Sequence, residues 1–211
     1  MKKLLYTLLA VSFIFAACKK EDDAPVAING CTESTATNYN SNATNDDGSC
    51  TYDLVGTWTT TKITEDVYLS VSMGGIIVQE EDYLDVMTDS LDPSSMSFLS
   101  NGTLYMYGDE EMDTVSWAKS GDILSITDED TTTNVTIQTL NATDLILELR
   151  IDTSFTDQGV DVVYDITQTL ELTRNTLIAE NVNQRLGNTS NNSWFDKTET
   201  LNRIRKKLNN R

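Results

Sequence analysis

Val160-Asp161-Val162-Val163-Tyr164-Asp165-Ile166-Thr167-Gln168-Thr169-Leu170-Glu171-Leu172 is the stretch that decides the fold. Val160, Val162, Tyr164, Ile166, Leu170 and Leu172 share one parity, while Asp161, Asp165, Thr167, Thr169 and Glu171 share the other. Successive side chains of a strand point to opposite faces, so this run reads as a strand with one face buried and one in water. Gln168 is the polar exception on the apolar parity, and it marks either a contact inside the fold or the rim of a barrel.

Upstream, Leu145, Leu147, Leu149 and Ile151 repeat the alternation around Glu148 and Arg150, and Leu124 and Ile126 do so more briefly. The whole region from Leu54 to Thr173 is rich in Thr, Val, Ile and Tyr and holds one proline, Pro93. Strands are predicted over 54–64, 66–72, 75–81, 95–100, 102–107, 112–119, 122–128, 132–140, 144–151 and 160–173. Asn101-Gly102, Ser120-Gly121-Asp122, Asn141-Ala142 and Gln158-Gly159 supply turns between them. No helical period longer than two turns intervenes, so the strands pair antiparallel rather than through crossover helices. About eight to ten strands with long edges to hide predict an all-β, up-and-down barrel. The acidic segment from Gly74-Gly75 to Pro93, with Glu80, Glu81, Asp82, Asp85, Asp89 and Asp92, has no obvious partner and reads as a lid or a solvated insertion.

Leu54-Val55-Gly56-Thr57-Trp58 resembles the first-strand Gly-x-Trp signature of lipocalins. Phe98-Leu99-Ser100-Asn101-Gly102-Thr103-Leu104, Val115-Ser116-Trp117-Ala118-Lys119-Ser120-Gly121-Asp122-Ile123-Leu124-Ser125-Ile126 and Leu140-Asn141-Ala142-Thr143-Asp144-Leu145-Ile146-Leu147 are similar to the central strand pairs of bacterial lipocalin-like domains. The resemblance covers about residues 53–173. It implies that Trp58 closes one barrel end and that Arg174, just past the last strand, lies over its ring in a cation–π contact. An eight-stranded barrel either fills with side chains or encloses one small molecule. Tyr105, Tyr107, Trp117, Tyr164 and Gln168 are the candidate ligand-binding residues, since rings with a polar tip can grip an apolar ligand; core packing is the alternative role for each.

Cys31 and Cys50 flank an Asn- and Thr-rich stretch with almost no aliphatic bulk, and an even pair in an exported chain pairs as a disulfide by default. Gly30-Cys31-Thr32, Ala36-Thr37-Asn38-Tyr39-Asn40 and Asp46-Asp47-Gly48-Ser49-Cys50 resemble a small cysteine-bounded module of secreted and surface proteins of marine bacteria. Two prolines usual in that module are Ser34 and Ser41 here. Asn38, Asn40, Asn42, Asp46 and Asp47 offer side-chain oxygens either to calcium or to turn caps; no glutamate follows at EF-hand spacing.

The N-terminus begins Met1-Lys2-Lys3, continues as an apolar run from Leu4 to Phe15, and reaches Ala16-Ala17-Cys18 before Lys19-Lys20-Glu21-Asp22-Asp23. That run is shorter than the roughly 20 residues that span a bilayer. It reads as a signal peptide and resembles the type II signal peptides of bacterial lipoproteins, which implies lipidation at Cys18. Phe15 stands where leucine is usual. Lys20-Glu21-Asp22-Asp23 resembles a surface-export signal of Gram-negative lipoproteins, which places the chain at the outer membrane, outer leaflet before inner. The expected organisation is a signal peptide over 1–17, a tether over 18–29, the stapled module over 30–51, the barrel over 52–174, and a basic tail with short helices over 175–211.

Charge narrows the function. Residues 52–173 carry 24 Asp and Glu against three Lys and Arg, so nucleic acid is an unsuitable partner, whereas residues 174–211 carry eight basic and three acidic residues. The tail therefore either docks on its own acidic domain or meets an anionic surface. Its Ile178, Val182 and Leu186, then Leu201, Ile204 and Leu208, recur at helical spacing. The chain has no histidine, which removes the commonest general base and metal ligand; with Cys31 and Cys50 bridged, no nucleophile–base pair can be assembled. The expected protein is a non-enzymatic, cofactor-free, membrane-anchored barrel that binds or shields a small apolar ligand. A filled barrel acting as a structural or interaction module for another envelope component is the alternative.

Overall fold

The structure is a computed structural model and describes residues 26–108, 112–129 and 131–175. These divide into two compact units, 26–34 with 39–50 and 35–38 with 51–175. The segment expected to be a signal peptide, Cys18 and the tail expected to form short helices beyond Asn175 lie outside the described residues.

In the small unit β1 (Asn29–Gly30) pairs parallel with β2 (Asn45–Asp46), and Cys31 is disulfide-bonded to Cys50 with Cα atoms 4.8 Å apart. Its polar side chains serve as turn caps. Asn40 Oδ1 accepts from the Asn42 amide, Asp46 Oδ1 from Gly48 and Asp47 Oδ1 from Ser49, while Asn45 Nδ2 donates to Asn29 Oδ1. Such Asx turns fix a backbone that lacks an apolar interior.

The second unit is all-β. Its sheet contains β3 (Gly56–Met73), β4 (Ile76–Met87), β5 (Ser95–Phe98), β6 (Thr103–Tyr107), β7 (Met112–Ser120), β8 (Ile123–Asp128), β9 (Thr131–Leu140), β10 (Asp144–Asp157) and β11 (Val160–Arg174). Consecutive neighbours from β5 to β11 pair antiparallel, β5 pairs with β3, and β11 returns to pair with β3 from Trp58 to Met73. The result is an eight-stranded closed up-and-down barrel with β4 as an additional strand. Its core runs from Leu54 and Trp58 through Phe98, Leu104, Leu124, Val135 and Leu147 to Ile166 and Leu172.

Two predicted strands, 54–64 and 66–72, are one strand, β3. Glu65 looks like a break in an apolar alternation, but it is fully buried on the inner face, and a bulge opposite Glu171–Leu172 keeps the parity inward on both sides. The acidic segment after Gly74-Gly75 is likewise mostly a strand rather than a lid. Gly74 and Gly75 both have positive φ, which suits a two-residue hairpin turn, and β4 returns along β3 from Ile76 opposite Met73 to Met87 opposite Ile63. After residues 88–94, β5 resumes along the same edge of β3, from Ser95 opposite Thr59.

Strand lengths make the barrel lopsided. The β9–β10 ladder ends at Glu148–Thr136, yet β10, β11, β3 and β4 continue as a four-stranded wall past it. Among the described residues the outer edge of β4 is unpaired, and Glu80, Glu81, Asp82 and Asp85 supply the charge that discourages edge-to-edge association.

Candidate functional site

One barrel end is plugged. Trp58 is completely buried and its indole N–H donates to the Leu54 carbonyl at 2.9 Å. The Arg174 guanidinium lies over the ring, with Cζ 4.1 Å from the centroid. Its fork is spent on carbonyls: Nε donates to Ala142 at 3.0 Å, Nη1 to Val55 at 3.0 Å and Nη2 to Asp53 at 2.6 Å. Partial burial draws the guanidinium below its ordinary pKa, and the charge of Asp53 opposes that shift. It remains a cation at any ordinary pH. The glycine of the Gly-x-Trp signature has a physical reason. A Cβ at Gly56, where φ is +138°, would sit 2.8 Å from Arg174 Nη1.

Trp117 belongs to this plugged end rather than to a lumen. Its ring meets Phe98 edge-on at 5.4 Å, and its indole N–H is shared by the Leu99 and Thr103 carbonyls of the β5–β6 turn. Tyr105 and Tyr107 depart further from expectation. They stand on the parity opposite the buried Leu104 and Met106, and so face outward over Ser97 and Ser95. The reason is register: a strand's period is two, so the choice of inner face for β6 excludes both tyrosines together. Burial raises the Tyr107 pKa above the ordinary phenol value, with a hydrogen bond from Ser97 opposing.

The inner face of the four-stranded wall holds the other two candidates. Register arranges it in cross-strand rows: Leu147, Leu170, Ile63 and Met87; then Leu149, Gln168, Glu65 and Asp85; then Ile151, Ile166, Val67 and Tyr83. Beyond these come Tyr164 beside Leu69, and Phe155 beside Val162 and Val71. Phe155 and Tyr164 stack at 6.4 Å. Toward the open end the inward parity is mixed, with Thr153, Glu81 and Gln79 beside the apolar residues, and it becomes exposed: Phe155 is 45% accessible, Met73 56% and Ile76 71%.

Sequence reasoning missed Glu65. It is 0% exposed, as is Gln168, and Gln168 Nε2 donates to Glu65 Oε1 at 2.8 Å. A signal existed, because Glu65 stands two residues from Ile63 and Val67 on their shared parity. The Gln168 amide is oriented by this bond, and its Oε1 is buried without a donor. Among the described residues no group of three Cys, Asp or Glu is placed to hold a metal ion.

An eight-stranded barrel with one end stoppered and an apolar wall at the other is a fold that binds or shields small ligands. Residues 54–147 match the family model of the lipocalin-like domain, and with the closed barrel this match supports a lipocalin-like domain in the chain. No curated protein and no solved structure matches it.

Proposed function

We propose that this chain is a lipid-anchored envelope protein, without enzymatic activity, whose lipocalin-like barrel binds or shields a small apolar molecule. The observation that carries the ligand reading is the group of apolar side chains on the inward parity of the wall, Phe155, Met73 and Ile76, that reach solvent past the closed barrel. Side chains turned toward a lumen yet left wet at its mouth are suited to an apolar guest. The sequence around Cys18 and Lys20-Glu21-Asp22-Asp23 supports anchoring at the outer membrane, and the absence of histidine favours a binding role over catalysis.

Native mass spectrometry of the protein isolated from its own host tests the ligand reading. A bound species of a few hundred daltons, released by organic solvent, is expected; protein that carries nothing and takes up no apolar probe overturns it. Cys18→Ser tests the anchor, and should move the protein from the membrane fraction to the soluble fraction. The filled-barrel reading draws on the plugged end, where Trp58, Phe98, Met96 and Leu104 are all fully buried. It requires the same close packing to extend to the level of Gln168, and apolar probe binding excludes it.

A further inference from the structure

We propose that the row formed by Gln168, Glu65 and Asp85 is a polar anchor within the wall, and that it selects small apolar molecules ending in a primary ammonium group. The proposal rests on the ligand-binding reading above and names the chemical class of guest.

The row lies immediately past the last β9–β10 ladder pair and between two apolar rows, one with Leu147, Leu170 and Ile63, the other with Ile151, Ile166 and Val67. A polar belt in such a place has a desolvation cost, so each of its oxygens calls for a donor. Gln168 meets this demand on one side alone. Its Nε2 is directed at Glu65 Oε1, which turns Oε1 away from the carboxylate, wholly buried and without a hydrogen-bond donor. The missing donor has to come from something inside the wall.

The chemistry of the row decides what that donor is. Two carboxyl groups and one amide oxygen supply acceptors, the amide N–H directed at Glu65 is a donor among them, and Glu65 and Asp85 have further interactions of their own. An anion is repelled. A hydroxyl offers one proton and brings its own lone pairs toward other acceptors. A primary ammonium offers three N–H donors and a positive charge, enough to reach Gln168 Oε1 and a carboxylate at once, with charge-assisted bonds. The surrounding barrel, with 24 acidic and three basic residues, adds a field of the right sign. The apolar body then points toward the exposed mouth at Phe155, which stacks with Tyr164.

Four octyl probes separate these contributions in titration calorimetry on the full chain: octylammonium, octyltrimethylammonium, 1-octanol and octanoate. Octylammonium should bind with a Kd about tenfold or more below each of the others, the worth of a charge-assisted hydrogen bond. Octyltrimethylammonium carries the charge without N–H donors, so equal binding of the two cations would reduce the effect to the general acidic field and overturn the proposal. Glu65→Gln should weaken octylammonium about tenfold or more and leave octanol binding unchanged. Gln168→Leu should also weaken octylammonium, although it removes the amide donor to Glu65 together with the unpaired acceptor and so lowers Tm. The double variant Glu65→Leu/Gln168→Leu, which removes both partners at once and should bind octylammonium no better than octanol, serves as the further variant if a single one fails to fold. Unchanged octylammonium affinity in Gln168→Leu overturns the proposal. If octanol and octanoate bind as well as octylammonium, the ammonium anchor is wrong and the ligand-binding barrel stands. If none of the four binds, both are wrong.

Discussion

Arg174→Ala removes the stopper of the plugged end while leaving every strand intact, and its cost can be worked from the contacts. The side chain donates to three backbone carbonyls, of Ala142, Val55 and Asp53, and covers the Trp58 ring at 4.1 Å. Net hydrogen bonds to a charged group contribute about 1.5–3 kcal/mol each, and a cation–π contact about 0.5–2 kcal/mol. Those figures are not additive. The guanidinium is half-buried, and water reaches the freed carbonyls, so solvent screening brings the loss below the roughly 5 kcal/mol that the lower ends would give together, to about 3 kcal/mol. For a barrel of this size that corresponds to a Tm lower by roughly 10 °C. Urea unfolding followed by tryptophan fluorescence measures it. Arg174→Lys should fall between wild type and alanine, because an ammonium keeps the charge over the ring but loses the planar fork. A double-mutant cycle with Trp58→Leu isolates the ring contact, with a coupling of about 1 kcal/mol expected. An Arg174→Ala protein within about 0.5 kcal/mol of wild type, the scatter expected of an ordinary surface substitution, would refute the stopper.

Gly56→Ala should lose about 1–3 kcal/mol, from left-handed backbone strain and the 2.8 Å approach to Arg174 Nη1. In an Arg174→Ala background the steric part should vanish, which the same denaturation assay detects as non-additivity. Reduction of Cys31–Cys50, which closes a loop of sequence separation 19, should destabilise the small unit by about 3 kcal/mol. Amide NMR signals of residues 29–46 should collapse toward random-coil positions. Tyr107 has a raised folded pKa, so the fold favours its protonated form; its contribution to stability is full below about pH 10 and is lost as pH rises through the raised value. Ultraviolet titration of tyrosinate should show a late step, and Tyr107→Phe should abolish it.

How much of this was legible in the chain depends on how local the signal is. Alternation at Val160–Leu172 and Leu145–Ile151 is a property of neighbouring residues, and it identified two strands that close the barrel. The Gly-x-Trp stretch carried Gly56 and Trp58 of the plugged end in the same way, while Arg174, paired with Trp58 and reaching Gly56 with Nη1, followed from the family resemblance. Glu65 was misread because a charge on an apolar parity is indistinguishable from a strand break until its partner is known, and Gln168 is 103 residues away. Tyr105 and Tyr107 were misread because aromatic character was weighed above parity. The acidic β4 looked unpaired because nothing in its composition reveals that β3 is long enough to hold both it and β5 on one edge.

The sequence by itself determined an all-β barrel region, a bridged small unit and the residues of the stopper, because period-two patterning, cysteine parity and short motifs act over a few residues. Only the tertiary structure decided which face of β6 is inner, that β4 joins the wall, and that Glu65 meets Gln168 in the dark. Those outcomes depend on register between distant strands, where a shift of one residue exchanges the buried face for the wet one.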